Sequence, residues 1–133
     1  MKRIHLGQAL VLLALPVLAA EAPAPVLKVS GIYSDLAYNV EGGDLLGMEL
    51  LIVPAGGEAK DHWNVFVQIA EGGAPYCVVV PLTINGAKIE FSIPPGGTYG
   101  GTRFTGTISA TEIRLRIPHG PDERLRRGRS YWQ

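Results

Sequence analysis

Turn residues punctuate this chain at near-even intervals, and that spacing constrains the fold more than any other feature. Glu41-Gly42-Gly43-Asp44, Pro54-Ala55-Gly56-Gly57, Glu71-Gly72-Gly73-Ala74-Pro75, Asn85-Gly86, the stretch from Pro94 to Gly101, Ser109-Ala110-Thr111 and Pro118-His119-Gly120-Pro121 all carry residues that reverse a backbone. Glycine reaches positive φ without steric penalty, and proline presets the bend. Between these turns run apolar segments: Val26 to Val40, Leu45 to Val53, His62 to Ala70, Tyr76 to Ile84, Ala87 to Ile93, Thr102 to Ile108, Thr111 to Ile117, and Arg124 to Trp132. They are too short for typical helices and rich in β-branched residues, so they read as strands. The first is long enough to bend or split around Ser34-Asp35.

Side-chain alternation gives each strand a dry face and a wet one. Trp63, Val65, Val67 and Ile69 alternate with Asn64 and Gln68. Phe104, Gly106 and Ile108 face the same way as Ile113, Leu115 and Ile117 if a short connection pairs Ile108 with Ile113 and Gly106 with Leu115. Small then opposes large, as a curved and packed sheet requires. Asn85-Gly86 favours a type I′ turn, which pairs Ile84 with Ala87, Leu82 with Ile89, Val80 with Phe91 and Val78 with Ile93. In that register Pro81 lacks its donor on the side of the preceding strand, where a bulge, gap or edge is expected. Leu45 to Val53 departs from the rule. Met48, Leu50 and Ile52 share one face, while Leu45, Leu51 and Val53 share the other, so both faces need cover. Either a terminal segment lies over the outside, or an apolar patch faces a partner or lipid.

Short antiparallel strands in sequence order predict an all-β, up-and-down meander of about eight strands closing into a small barrel, since closure removes exposed edges. A two-sheet β-sandwich is the alternative. A barrel of this size is filled by side chains or holds one small ligand. A membrane-spanning barrel is disfavoured, because one face of most strands carries Lys, Arg and Glu in place of a lipid-facing apolar band.

The start of the chain predicts export. Met1-Lys2-Arg3, an apolar run from Leu6 to Leu18, and Ala19-Ala20 form the three parts of a secretory signal peptide. The run is shorter than the roughly twenty residues of a spanning helix. Residues 1–20 are therefore expected to be a cleaved leader, 21–25 a Pro/Ala linker, and 26–133 a single domain in the periplasm or outside the cell. No cysteine lies at the junction, which argues against a lipid-anchored lipoprotein. The mature chain of about 113 residues can bury a modest core alone. With twelve basic and twelve acidic residues in the whole chain, loss of Lys2 and Arg3 leaves a charge of about −2, with no general attraction to nucleic acid. Cys77 is the only cysteine, so no internal disulfide is possible and packing must hold the fold. It reads as a small semi-apolar side chain or, alternatively, as a reactive thiol.

Gly31-Ile32-Tyr33 in the first strand and Arg127 or Arg129 in the last give the chain a resemblance to the lipocalin and avidin superfamily of small barrels. Those proteins begin with Gly-x-Trp and place a basic residue over that ring; tyrosine stands here in place of tryptophan. The resemblance implies a ligand-holding barrel and leaves the ligand open.

The sequence contains no nucleophile elbow, no His-Glu-x-x-His and no Cys-x-x-Cys. His62, His119 and Cys77 are scattered, so no metal site, cofactor or catalytic residue is expected. Asp61-His62 are strand neighbours that point apart. Gly96-Gly97-Thr98-Tyr99-Gly100-Gly101 lacks the ending of a phosphate loop and reads as a mobile loop at a barrel rim. Two non-catalytic functions remain. In the first, the inward residues Tyr33, Trp63, Phe91 and Phe104, with Tyr99 at the rim, line a site for a small, mainly apolar, lipid-like ligand. In the second, Arg114, Arg116, Arg124 and Arg126 share an outer face that grips an anionic lipid, polysaccharide or protein partner, as an envelope interaction module or inhibitor. Glu112, Asp122 and Glu123 are available as counter-charges that would leave this face merely solvated. Tyr131-Trp132-Gln133 is expected to plug one barrel end.

Overall fold

The computed structural model describes residues 27–57 and 62–133. The expected leader and linker lie outside the described residues. Nine strands follow in order: β1 (Gly31–Ser34), β2 (Ala37–Asn39), β3 (Asp44–Pro54), β4 (Trp63–Glu71), β5 (Tyr76–Asn85), β6 (Lys88–Ser92), β7 (Arg103–Ile108), β8 (Glu112–Arg116) and β9 (Glu123–Gly128). Each pairs antiparallel with the next from β2 to β9, and β1 pairs with both β3 and β9. The sheet therefore closes on itself as a barrel, and the sandwich is set aside.

β1 and β2 run along the same partner, β3, and form one strand bent at Asp35-Leu36. At the bend the Asp35 backbone N–H donates to the Met48 carbonyl at 3.0 Å, and the Asp35 Oδ1 accepts from the Met48 N–H at 2.6 Å. The carboxylate stands in for the ladder bond that the bend removes. With β1 and β2 counted as one, the barrel has the expected eight strands.

The core is the inward row of every strand: Tyr33, Leu50, Ile52, Val65, Val67, Val80, Ile113, Leu115 and Leu125 are all essentially sealed from solvent. Each large aliphatic side chain so buried contributes about 1.5–3 kcal/mol. Phe91 and Phe104 stack across β6 and β7 with ring centroids 5.0 Å apart. Gly106 lies opposite Leu115, where a Cβ would collide with the Arg114 carbonyl. The small-against-large pairing is thus enforced by backbone contact.

The β5–β6 hairpin corrects the expected register. Asn85 pairs with Lys88, Ile84 with Ile89 and Thr83 with Glu90. The two turn residues are Gly86 and Ala87, not Asn85 and Gly86. Gly86 has φ +59° and Ala87 is not among the positive-φ residues, the φ pattern of a II′ turn, in which glycine takes the first central position. The slide moves each pairing by two residues in sum, so every side chain keeps its face. It also moves the gap caused by Pro81. Register with β4 runs unbroken through Asn64–Pro81, while pairing with β6 stops after Thr83–Glu90. In the observed register Pro81 falls at a hydrogen-bonding site toward β6, where its missing N–H ends the ladder.

Residues 130 and 131 lie against the outer face of β3 at Glu49. Glu49 points outward by alternation yet is only 3% exposed. Ser130 Oγ donates to its Oε1 at 2.6 Å, and the Tyr131 N–H donates to its Oε2 at 2.9 Å. Trp132 Nε1 donates to Gln68 Oε1 at 2.9 Å on the neighbouring strand. The terminal segment thus covers the middle of the outer face of β3, at Glu49, while Val53 stays exposed. The same contacts correct the expected plug: Tyr131 and Trp132 lie on the barrel wall, because Glu49 and Gln68 offer their backbone and indole N–H groups acceptors there. Cys77 is exposed beside this region, opposite Gln68.

Candidate functional site at the open end of the barrel

The up-and-down order sends alternate turns to opposite ends. One end is sealed. Arg127 projects inward from β9 and packs over the Tyr33 ring, with its guanidinium carbon 5.4 Å from the centroid. Its guanidinium donates to the carbonyls of Lys28, at 2.6 Å, and Ser30. Tyr33 Oη donates to the Val29 carbonyl at 2.9 Å, and Val29 is itself buried. The chain preceding β1 is thereby drawn across the barrel floor. Gly31 makes this possible: its φ of +148° excludes most side chains, and a Cβ there would press on the guanidinium. Burial pushes the Tyr33 phenol pKa up, partly opposed by the Arg127 charge. Of the two basic residues expected over the ring, Arg127 occupies the position.

The opposite end holds a cavity of about 520 Å³, within the size range of small-molecule sites. Its walls are Leu46, Met48, Ile69, Phe104 and Ile117, and its rim carries Glu71, Tyr99, His119 and Glu123. The β6–β7 loop closes at its base through Ile93 N–H to Thr102 O (2.9 Å) and Gly101 N–H to Ile93 O (3.0 Å), and it brings Tyr99 to the cavity. Tyr99 then meets Tyr76 edge-on at 5.3 Å. Burial, with a hydrogen bond to Glu71 and that residue's charge, pushes the Tyr99 pKa up to about 12, so the phenol keeps its proton. Glu123 lies beside Asp35, and burial first, then this neighbour, raises its carboxyl above the ordinary range. His119 holds φ +63° in the β8–β9 turn.

The ligand-lining candidates therefore divide. Phe104 and Tyr99 line the cavity. Phe91 supports it from behind by stacking on Phe104. Tyr33 belongs to the sealed floor, and Trp63 lies at that same end, paired with Pro54 and Leu82. Sequence reasoning missed Glu71, Glu123 and Asp35, which it treated as turn or surface carboxylates. A signal was present: in a meander every second turn shares an end, which gathers Glu71 to Pro75, Pro94 to Gly101 and Pro118 to Pro121 at one mouth.

The arginine face lies on the outer wall of β7 to β9. Thr105 pairs with Arg116 and Thr107 with Arg114, beside a shallow outer groove of about 790 Å³ that also includes Thr83, Lys88 and Glu90. Most of the positive charge is matched locally. Arg114 Nε and Arg124 Nε donate to the two oxygens of Glu112, each at 2.6 Å, and these bonds lower the Glu112 pKa. Arg103 meets Glu90 at 2.5 Å, and Arg116 stands 4.0 Å from Asp122. Arg126 is exposed and lies between Ser34 and Glu112 in the ladder. Glu123, expected among these counter-charges, faces the cavity mouth instead, because it occupies an inward position of β9. Among the described residues no group of three or more His, Cys, Asp or Glu side chains could hold a metal ion.

Comparison with protein-family models, with curated proteins and with solved structures finds no match to this chain.

Proposed function

We propose that this chain is an exported, non-catalytic binding module that holds a small, mainly apolar ligand in the cavity at the open end of its barrel. One observation carries the reading: an apolar-walled space of about 520 Å³ sits at one end of a barrel whose other end is closed by Arg127, Tyr33 and Val29. Walls of Met48, Ile69, Phe104 and Ile117 suit an aliphatic or aromatic body, and the inturned loop bearing Tyr99 can shield it from water. The floor geometry, a basic side chain over a ring that follows glycine by two residues, supports the finer likeness to the lipocalin and avidin barrels. Export rests on the leader pattern of residues 1–20.

The test is native mass spectrometry and solvent extraction of the purified protein, alongside Ile117→Trp, which fills the cavity. A co-purifying apolar molecule that the variant fails to retain supports the reading. A wild-type protein that neither carries nor takes up apolar molecules refutes it.

A second reading, an anionic partner held on the outer face, draws on the convergence of Arg114, Arg116, Arg124 and Arg126 on one wall. It is the weaker of the two, since Glu112 pairs with Arg114 and Arg124 and Asp122 stands near Arg116, which offsets part of that charge. Replacing the four arginines by serine leaves partner capture unchanged if the face is only solvated, and weakens it steeply if it is the docking surface.

A further inference from the structure

The cavity's rim is chemically one-sided. Glu71 from the end of β4 and Glu123 from the start of β9 both line it, and no lysine or arginine does among the described residues. Arg127 is committed to the sealed floor, and Arg103, Arg114, Arg116 and Arg124 are on the outer wall. Tyr99 contributes a phenol, and His119 an imidazole.

Resting on the pocket reading above, we propose that the ligand is a cationic amphiphile: an apolar body within the barrel and an ammonium head held at the rim by Glu71 and Glu123. The apolar cavity makes the site, and the two carboxylates choose the head group. A carboxylate-headed ligand such as a fatty acid would bring a third negative charge to a mouth with no basic side chain to receive it. A neutral alcohol would gain a hydrogen bond at most. An ammonium group donates to both glutamates through charge-assisted bonds, roughly twice as strong as neutral ones. Tyr99, which lines the same cavity, offers an aromatic ring of the kind that attracts cations.

The surroundings of Glu123 favour the same conclusion. It stands beside Asp35, so two acidic side chains meet at one edge of the mouth. Asp35 is anchored by the Met48 N–H at 2.6 Å, so the pair cannot easily separate. A bound cation relieves the crowding of these two acidic groups.

The decisive experiment is calorimetric titration of the purified protein at pH 7.5 with octylamine, octanol and octanoate, which share one apolar body. The expected order is octylamine tightest, by about tenfold over octanol, with octanoate weakest. Glu71→Gln combined with Glu123→Gln should bring octylamine to the level of octanol. Glu71→Lys, a charge reversal at a rim position, should move the preference toward octanoate; circular dichroism confirms that each variant is folded. Octanoate or octanol binding as tightly as octylamine overturns the head-group inference while leaving the pocket standing. Failure of all three to bind overturns the pocket and the inference together.

Discussion

Both ends of the barrel meet the inner face of β9, and each meets a different residue of it. Alternation places Glu123, Leu125 and Arg127 on that face. Leu125 is sealed in the core, Arg127 reaches the floor and Glu123 the mouth. At the floor the charge is spent on carbonyls of the incoming chain and on an aromatic ring. At the mouth it is left beside another carboxyl, above an apolar space. The floor is therefore arranged for stability, with polar groups satisfied by the protein itself. On the proposed function, the mouth keeps groups that would gain from a ligand. A single strand carries both, because a six-residue strand spans the barrel from end to end.

The largest expected effect tests the floor. Tyr33→Ala should cost about 3–5 kcal/mol in urea denaturation, the range for deleting a fully buried aromatic. Tyr33→Phe should cost about 1 kcal/mol, the worth of the hydroxyl bond to Val29. Arg127→Ala comes next, at about 2–3 kcal/mol, from loss of charge-assisted bonds to Lys28 and Ser30. Binding of an apolar probe at the mouth should survive Arg127→Ala in the folded fraction. An equal loss of binding would mean that the ends are not independent. At the mouth the ranking reverses: Ile117→Trp should change stability by less than about 1 kcal/mol, since it fills space and strains little, yet abolish probe uptake measured by fluorescence displacement.

The smallest effect is a pH dependence of opposite sign at two glutamates. Glu123 has a raised folded pKa, so the folded state holds its proton more tightly than the unfolded chain. Its destabilising influence is absent below the ordinary carboxylate range and grows as pH rises through the raised value. Glu123→Gln should therefore raise the melting temperature at pH 7, by about a degree, and do nothing near pH 4. Glu112 is lowered by Arg114 and Arg124, so its contribution is present above the ordinary range and lost as pH falls through the folded value. Glu112→Gln should lower the melting temperature slightly at pH 7, and added salt should erase the difference. Scanning calorimetry across pH separates the two.

How much of this was legible depended on whether a feature is set by parity or by shape. Strand faces follow a period of two. The inward rows of β4, β7 and β8 and the two-sided apolar pattern of β3 could be read from alternation; the pairing of Ile108 with Ile113 also needed the short turn, and the bend near Asp35 the length of the first segment. The Asn85-Gly86 turn failed by one position because Gly86 serves a II′ turn as readily as a I′ turn, and faces are the same in both. The resting place of Tyr131 and Trp132 was missed because it depends on Glu49, an outward carboxylate whose need for donors is invisible until the strands are in register. The cavity was beyond sequence, since its volume is what remains after ring closure and side-chain packing. The acidic rim was within reach, through the rule that alternate turns share an end.

The bonds from Arg127 to the carbonyls of Lys28 and Ser30 join residues 99 and 97 positions apart in the chain. Contacts of such long range are slow to form, because chain entropy must be lost before they give anything back. The seam between β1 and β9 is therefore expected to close last. Until the last strand is available, a half-made cylinder has an unmatched ribbon on each side.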